Sequence, residues 1–201
     1  MIAIIDYDAG NMLSVVKALR HLGEEPVISR DPEVLKNADK LILPGVGAFG
    51  DAMDKLNGYG LVSPIKEFIA TGRPFFGICL GLQLLYDESD EAPGVAGIGA
   101  LAGKIKKIPA GEFRKIPHMG WNSLSFPNKG RLFKGIEEGA YVYFVHSYYL
   151  EAKDRASVTA TTDYNVTIDA SVEDHNVFAC QFHPEKSGDV GLTILKNFIE
   201  L

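Results

Sequence analysis

The sequence predicts an α/β protein of three layers, with a central, mostly parallel sheet flanked by helices. Four short runs in the N-terminal half are apolar throughout, and helical patterns separate them. Strands of a parallel sheet are buried on both faces, so they form continuous apolar runs. The C-terminal half carries segments rich in β-branched and aromatic residues, which predicts an added antiparallel β portion.

The N-terminal elements follow from local patterns. Leu13, Val16 and Leu19 recur at the helical period, which predicts a helix over 12–22. Asp31-Pro32 opens a short helix, because Pro fits the first helical turn. Residues from Asp51 to about Ala70 are predicted to form a further helix. The apolar runs predict strands at 2–6, 26–29, 40–44 and 74–78.

The C-terminal half contains strands and one closing helix. An amphipathic pattern predicts that helix over 188–201. The chain shows no linker-like segment, repeat or low-complexity tract, so residues 1–201 are predicted to form a single domain. The predicted strands lie at 141–150, 157–164, 166–172 and 177–183.

Composition narrows the function classes. The 201 residues include 46% hydrophobic and 23% charged residues, as is usual for a globular protein. The formal net charge of −6 argues against nucleic-acid binding. The chain has neither a membrane-length apolar run nor a basic leader, which predicts a cytoplasmic protein without membrane contact. No metal-binding motif is present, and no metal or other cofactor is predicted.

Cys79 stands at a predicted strand-to-helix corner, in the pattern G-I-C-L-G. Such an elbow lifts a nucleophile out of the sheet and leaves the following N–H, here of Leu80, free for a developing negative charge. The alternative is a buried structural thiol, the usual fate of a free cysteine. Cys180 lies inside the strand pattern V-F-A-C-Q-F-H and is interpreted as core.

A histidine and a carboxylate follow the last predicted strand. His183 ends V-F-A-C-Q-F-H, and Pro184 stops the strand so that the imidazole is presented at its tip. Glu185 can fold back onto the ring. A solvated strand end with an incidental charge pair is the alternative. Catalytic side chains of parallel sheets gather at the carboxyl ends of strands, which favours a joint site with Cys79.

These motifs together resemble a known family. G-I-C-L-G-L-Q-L-L (77–85), F-H-P-E-K (182–186) and L-P-G-V-G-A-F-G (43–50) are similar to the class I glutamine amidotransferases. Within that family, P-H-M-G-W-N (117–122) and Y-F-V-H-S-Y (143–148) resemble the glutaminase subunits of imidazole glycerol phosphate synthases. The resemblance implies the flavodoxin-like fold of that family.

The resemblance also implies a reaction and its residues. Cys79 would attack the side-chain amide carbon of L-glutamine, His183 would carry the thiol proton to the departing ammonia, and Glu185 would hold the imidazole. Water would then hydrolyse the glutamyl thioester. His146 is interpreted as structural. The implied oxyanion donors are the backbone N–H groups of Leu80 and of Val46 or Gly47, and the implied substrate-binding residues are Gln83, Ser147 and Tyr148.

The implied partner is a cyclase subunit with a (βα)₈ barrel, joined in a heterodimer. It would use the ammonia to form imidazole glycerol phosphate and AICAR in histidine biosynthesis. The first turn reads D-Y-D-A-G-N where the family commonly has D-Y-G-x-G-N, so Asp8 replaces a glycine. Trp121 could equally be a core residue. The implied interface residues are Asn11, Ser14, Trp121, Asn122, Tyr143 and Lys186.

Two other functions stay open at this point. The chain could be the glutaminase subunit of another class I amidotransferase, such as anthranilate or aminodeoxychorismate synthase. The H-M-G-W-N segment argues against this, since those glutaminases read differently there. It could also be a non-catalytic regulatory partner, which the complete Cys/His/Glu set disfavours.

Overall fold

The computed structural model describes residues 1–8, 10–111 and 114–201. The helices in these ranges are α1 Met12–His21, α2 Pro32–Lys36, α3 Phe49–Gly58, α4 Val62–Ala70, α5 Leu80–Leu84 and α6 Gly188–Ile199. The strands are β1 Ile2–Ile5, β2 Val27–Ser29, β3 Lys40–Leu43, β4 Phe75–Ile78, β5 Glu88–Ser89, β6 Gly103–Lys107, β7 His118–Ser123, β8 Tyr141–His146, β9 Tyr148–Ala152, β10 Val158–Tyr164, β11 Val166–Asp174 and β12 Val177–Cys180.

One large sheet organises the chain, in the order β2-β1-β3-β4-β12-β11-β9-β6-β5, with β10 paired to β11. Strands β2, β1, β3, β4 and β12 lie side by side and run parallel to one another. Strand β11 pairs antiparallel with β12, β10 and β9. Strands β7 and β8 form a separate antiparallel pair. The predicted fold class, a mostly parallel sheet with an antiparallel addition, is confirmed.

Helices cover both faces of the parallel strands. Neighbouring residues of one strand join opposite core clusters: Ile5 packs with the cluster that contains residues of α3 and α4, and Ile4 with the cluster of α1 and α6. This two-sided burial is why these strands are apolar throughout. In the described part of the chain, no helix is long and apolar enough to cross a membrane.

Two local predictions were wrong. The helix predicted from Asp51 to Ala70 is two helices, because Gly60 adopts φ +66° and interrupts the helical backbone. The strand predicted at 141–150 breaks at Ser147, and its halves join different sheets. The helix predicted over 12–22 is confirmed as α1, in which Val16 and Leu19 are buried and Leu13 is 69% exposed.

The sheet register gathers three loops at one edge. Strand β4 lies between β3 and β12 and is parallel to both, with Leu43 beside Gly77 and Cys180 beside Ile78. Parallel strands direct their carboxyl ends to the same edge. The segments that follow β3, β4 and β12 therefore meet, and they contain P-G-V-G, C-L-G and Q-F-H.

The elbow after β4 requires glycine at position 81. A Cβ built on Gly81 would lie 1.8 Å from the carbonyl oxygen of Leu43, which is fixed in β3. We expect Gly81→Ala to reduce the free energy of unfolding by about 3 kcal/mol, as overpacking against backbone does. Gly58→Ala is the matched control, since nothing lies within 4 Å of its Cβ. Thermal unfolding of both variants tests this; equal melting temperatures would contradict it.

Candidate active site

Cys79 occupies a strained corner between β4 and α5. Its backbone has φ 55° and ψ −106°, a region that side chains other than glycine rarely adopt. The Cys79 N–H donates to the carbonyl oxygen of Cys180 at 2.8 Å, which continues the parallel ladder. The side chain is nearly buried and lines a cavity of about 310 Å³. Strain held by a rigid ladder is typical of functional sites.

His183 and Glu185 form a buried pair beside this corner. Nδ1 of His183 lies 2.7 Å from Oε1 of Glu185, and both side chains are almost completely enclosed. The His183 N–H donates to the carbonyl oxygen of Tyr143, and its own carbonyl accepts from Ser187 Oγ. Strand β8 therefore fixes the backbone that carries the imidazole.

The charge of the imidazole depends on its two neighbours. Burial by itself lowers the pKa of His183, but Cys79 and Glu185 outweigh this effect and raise the pKa to about 9. Among the described residues, Nε2 of His183 has no hydrogen-bond partner. At neutral pH the imidazole is therefore protonated on both nitrogens, and Nε2 is available to exchange its proton with a reacting group.

Asn11 contacts the carboxylate of this pair. Its Nδ2 donates to Oε1 of Glu185 at 2.6 Å, and its backbone is left-handed with φ 72°. The side chain predicted for a partner interface thus makes an internal hydrogen bond, and its interface role stays a prediction. Ser14 follows in α1 and lines a surface groove that Glu185 also borders.

The predicted oxyanion donors lie at the cavity, but one of them is occupied. Val46, Gly47 and Leu80 all line it. The Leu80 N–H donates to the carbonyl oxygen of Gly45 at 3.3 Å. The prediction that this N–H is free was therefore wrong for this conformation, because the Gly45–Val46 peptide turns its oxygen toward α5.

The predicted substrate residues line the same cavity, although their polar atoms are partly engaged. Gln83, Ser147 and Tyr148 border it. Both Nε2 protons of Gln83 are used, toward the carbonyl oxygen of Tyr148 at 3.1 Å and toward Oε1 of Gln181 at 3.0 Å. Only the side-chain oxygen of Gln83 is left for a ligand, so it can act there as an acceptor.

The remaining predicted interface residues lie on or beside strands β7 and β8. Trp121 is 56% exposed, which excludes the alternative of a core tryptophan. Its ring contacts that of half-buried Tyr143 edge-on, with centroids 6.1 Å apart. Nδ2 of Asn122 donates to the carbonyl oxygen of Asp163 and lies 3.3 Å from Nε2 of His118. Lys186 is exposed beyond the His-Pro-Glu turn.

Asp8 and Cys180 were also singled out by the sequence. Asp8 adopts φ 59°, a left-handed conformation that Asp tolerates better than most residues, and its carboxylate binds Arg30 at 2.6 Å. Hydrogen bonds from Tyr59 and Arg30 lower the pKa of Asp8. Cys180 is fully buried, as predicted.

Comparison with known proteins identifies the family. The model of the family described as "Glutamine amidotransferase class-I" matches residues 3–201. The chain is 50% identical over 201 residues to the imidazole glycerol phosphate synthase subunit HisH of Methanothermobacter thermautotrophicus, covering 100% of this chain and 98% of that protein. It is 52% identical over 200 residues to HisH of Moorella thermoacetica, covering 100% and 94%. This chain is a class I glutamine amidotransferase of the HisH family.

A solved structure supports the fold assignment of this HisH-family chain. A crystal structure of a glutamine amidotransferase superposes with a TM-score of 0.78 at 20% identity, covering 100% of this chain and 98% of that one. At this identity the likeness concerns the fold.

Sequence reasoning missed Gln181 at the HisH-type site, and it missed the pairing of His118 with His146, which was interpreted as structural. Gln181 is fully buried, and its Nε2 lies 3.6 Å from the sulfur of Cys79. Nδ1 of His118 lies 2.9 Å from Nε2 of His146, and Nδ1 of His146 donates to the carbonyl oxygen of Tyr148. Burial lowers the pKa of His118 to about 4 and that of His146 to about 3, so both rings are neutral. The only sequence signal was the position of Gln181 after β12.

Proposed function

We propose that this chain is the glutaminase subunit of an imidazole glycerol phosphate synthase, and that Cys79, His183 and Glu185 hydrolyse glutamine. The observation that carries the residue assignment is the buried His183–Glu185 pair beside a cysteine on a strained elbow. The full-length likeness to HisH proteins supports the choice of synthase. The buried His183–Glu185 pair, close enough to Cys79 for the two to affect each other's charge, disfavours a purely regulatory subunit.

The geometry supports acyl transfer through sulfur. The Cys79 sulfur, whose proton has passed to Nε2 of His183, attacks the side-chain amide carbon of glutamine, and the C–N bond of the tetrahedral adduct breaks. His183 donates its Nε2 proton to the leaving ammonia, while Glu185 accepts from Nδ1 and stabilises the imidazolium. Water, deprotonated by His183, then attacks the thioester carbon, and the C–S bond breaks to release glutamate and return the Cys79 thiolate beside the protonated imidazole.

Stabilisation of the oxyanion requires a change in the loop after β3. The Leu80 N–H is bonded to Gly45 in this conformation, so it cannot receive the substrate oxygen. Rotation of the Gly45–Val46 peptide would free Leu80 and turn the Val46 N–H into the cavity. Gly47, with φ +119°, gives the loop conformations closed to other residues. Glutamine or the partner would drive this rotation.

Substrate and partner contacts follow from the same surface. The side-chain oxygen of Gln83 would accept from the glutamine α-ammonium group, and the 147–148 backbone would pair with its main chain. Exposed Trp121 beside Tyr143 is an aromatic anchor of the kind that dominates protein interfaces. The proposed partner is a cyclase subunit of (βα)₈ type in a heterodimer. Two unpaired thiols support a cytoplasmic location.

A reconstituted complex tests the proposal. The purified chain is mixed with the cyclase subunit and its nucleotide substrate, and glutamate release is measured with and without the cyclase. We expect release to rise at least about tenfold on addition of the cyclase, because partner binding favours the rotated peptide. Glutamate release that is absent under both conditions would contradict a glutaminase.

Controls separate the alternatives. The large subunits of anthranilate and aminodeoxychorismate synthases replace the cyclase in parallel mixtures. Activation by one of them, and not by the cyclase, would assign the chain to that synthase. Ammonium salts with the cyclase alone show that the cyclase is active.

A further inference from the structure

Gln181 is a buried amide that none of the sequence motifs explained. It directly follows β12, opposite Cys79, and no part of its surface is exposed. Its backbone N–H donates to the carbonyl oxygen of Ala170 at 2.9 Å, which holds the residue in line with the sheet. A buried amide needs hydrogen-bond partners, and here they are Gln83 and the sulfur of Cys79.

The orientation of this amide is fixed by a backbone carbonyl. The oxygen of Tyr148 can only accept, so the group of Gln83 that faces it must be the NH₂. The second proton of that NH₂ meets Gln181, which must therefore present its oxygen to Gln83. The NH₂ of Gln181 consequently faces Cys79, with Nε2 3.6 Å from Sγ.

The carbonyl oxygen of Tyr148, which orients both amides, is itself fixed by a further hydrogen bond. Nδ1 of His146 donates to the same Tyr148 oxygen at 2.8 Å, and burial keeps the His146 ring neutral by lowering its pKa to about 3. Neither Gln83 nor Gln181 changes charge with pH. The N–H directed at the sulfur thus keeps its direction over the working pH range.

We propose that Gln181 is a further catalytic residue, whose amide N–H donates a hydrogen bond to the Cys79 sulfur and stabilises its anionic form. This role rests on the proposed nucleophilic function of Cys79. An amide suits it because it stabilises negative charge without offering a proton that would neutralise the nucleophile. His183 stays free to deliver its proton to the leaving ammonia.

The test is the pH dependence of Cys79 alkylation by iodoacetamide in the full-length protein. The modified peptide is quantified by mass spectrometry, which distinguishes Cys79 from Cys180. Gln181→Met keeps the size of the side chain and removes the donor. We expect the midpoint of its alkylation profile to rise by about one pH unit, the loss of one charge-assisted hydrogen bond. Gln181→Glu places an anion beside the sulfur and should raise the midpoint further.

Two further variants keep the result decisive. Ser171→Ala removes a buried hydrogen bond to Ala179 on the neighbouring strand and should leave the midpoint unchanged. Gln83→Met releases the orientation of Gln181 without replacing it, and should raise the midpoint by less. A role in packing alone would change the plateau rate by altering access to the sulfur, without moving the midpoint. Midpoints of Gln181→Met and Gln83→Met that equal the wild-type value would overturn the proposal.

This readout is independent of glutamine turnover. If the midpoint shifts but Cys79→Ala still releases glutamate, the hydrogen bond is real and the proposed function fails. If glutamate release requires Cys79 but the midpoints coincide, the function stands and Gln181 is only a core residue.

Discussion

Cys79→Ala is expected to lower the kcat of glutamate release in the cyclase complex by at least about 10⁴-fold. Without sulfur no thioester can form, and the remaining binding groups cannot supply a nucleophile. Steady-state kinetics with glutamine measure the loss. The same complex supplied with ammonium salts should retain the cyclase reaction, because that step does not use this site. Unchanged glutamate release would contradict the assignment of the nucleophile.

The backbone at Cys79 adds a stability prediction that separates function from folding. Its φ of 55° with ψ of −106° costs about 1–3 kcal/mol for any residue with a Cβ. Alanine keeps this strain, whereas glycine relieves it. We expect Cys79→Gly to be inactive yet to unfold at a temperature at least as high as that of Cys79→Ala, as measured by calorimetry. A lower melting temperature for the glycine variant would show that the elbow is not strained.

Much of the fold could be predicted because its causes are local. The buried parallel strands are apolar on both faces, and Asp31 with Pro32 marks the start of α2, where the Asp31 side chain accepts from the Glu33 N–H. The break at Ser147 could not be predicted in the same way. Apart from His146 and Ser147, residues 141–150 are aromatic, β-branched or leucine residues, and no Gly or Pro marks a break. The chain leaves β8 for β9 there because the two strands pair with different sheets.

In the candidate site too, features with a local cause could be predicted and features set by distant residues could not. Cys79 and His183 could be paired from the sequence, because each follows a buried strand and parallel strands share one carboxyl edge. The bond from Asn11 to Glu185 joins residues 174 positions apart and has no local signal. The direction of the Gly45 carbonyl depends on one peptide rotation, which the sequence leaves free. Gln181 resembles any strand residue until its neighbours are known.

Glu185→Gln is expected to lower kcat by about 10²-fold, less than the loss of about 10⁴-fold expected for His183→Ala. Asn11 donates to the same oxygen that accepts from His183 Nδ1, so an amide at 185 must present its oxygen there. Its NH₂ then takes the place of Oε2, which has no hydrogen-bond partner among the described residues. The imidazole keeps its tautomer and orientation, and only the stabilising charge is lost.

Loss of that charge also changes the pH profile. Glu185 contributes to the raised pKa of His183, so the pKa of the ring should fall in Glu185→Gln and the alkaline limb of the kcat profile should move to lower pH.

Asn11→Gly removes the side chain that fixes the amide, and glycine accepts the left-handed φ of 72°. Combined with Glu185→Gln it should cost more than the product of the single effects, because the amide can then turn its NH₂ toward Nδ1. Equal losses for Glu185→Gln and His183→Ala, or multiplicative effects in the double variant, would contradict this account of how Asn11 and Glu185 hold the imidazole.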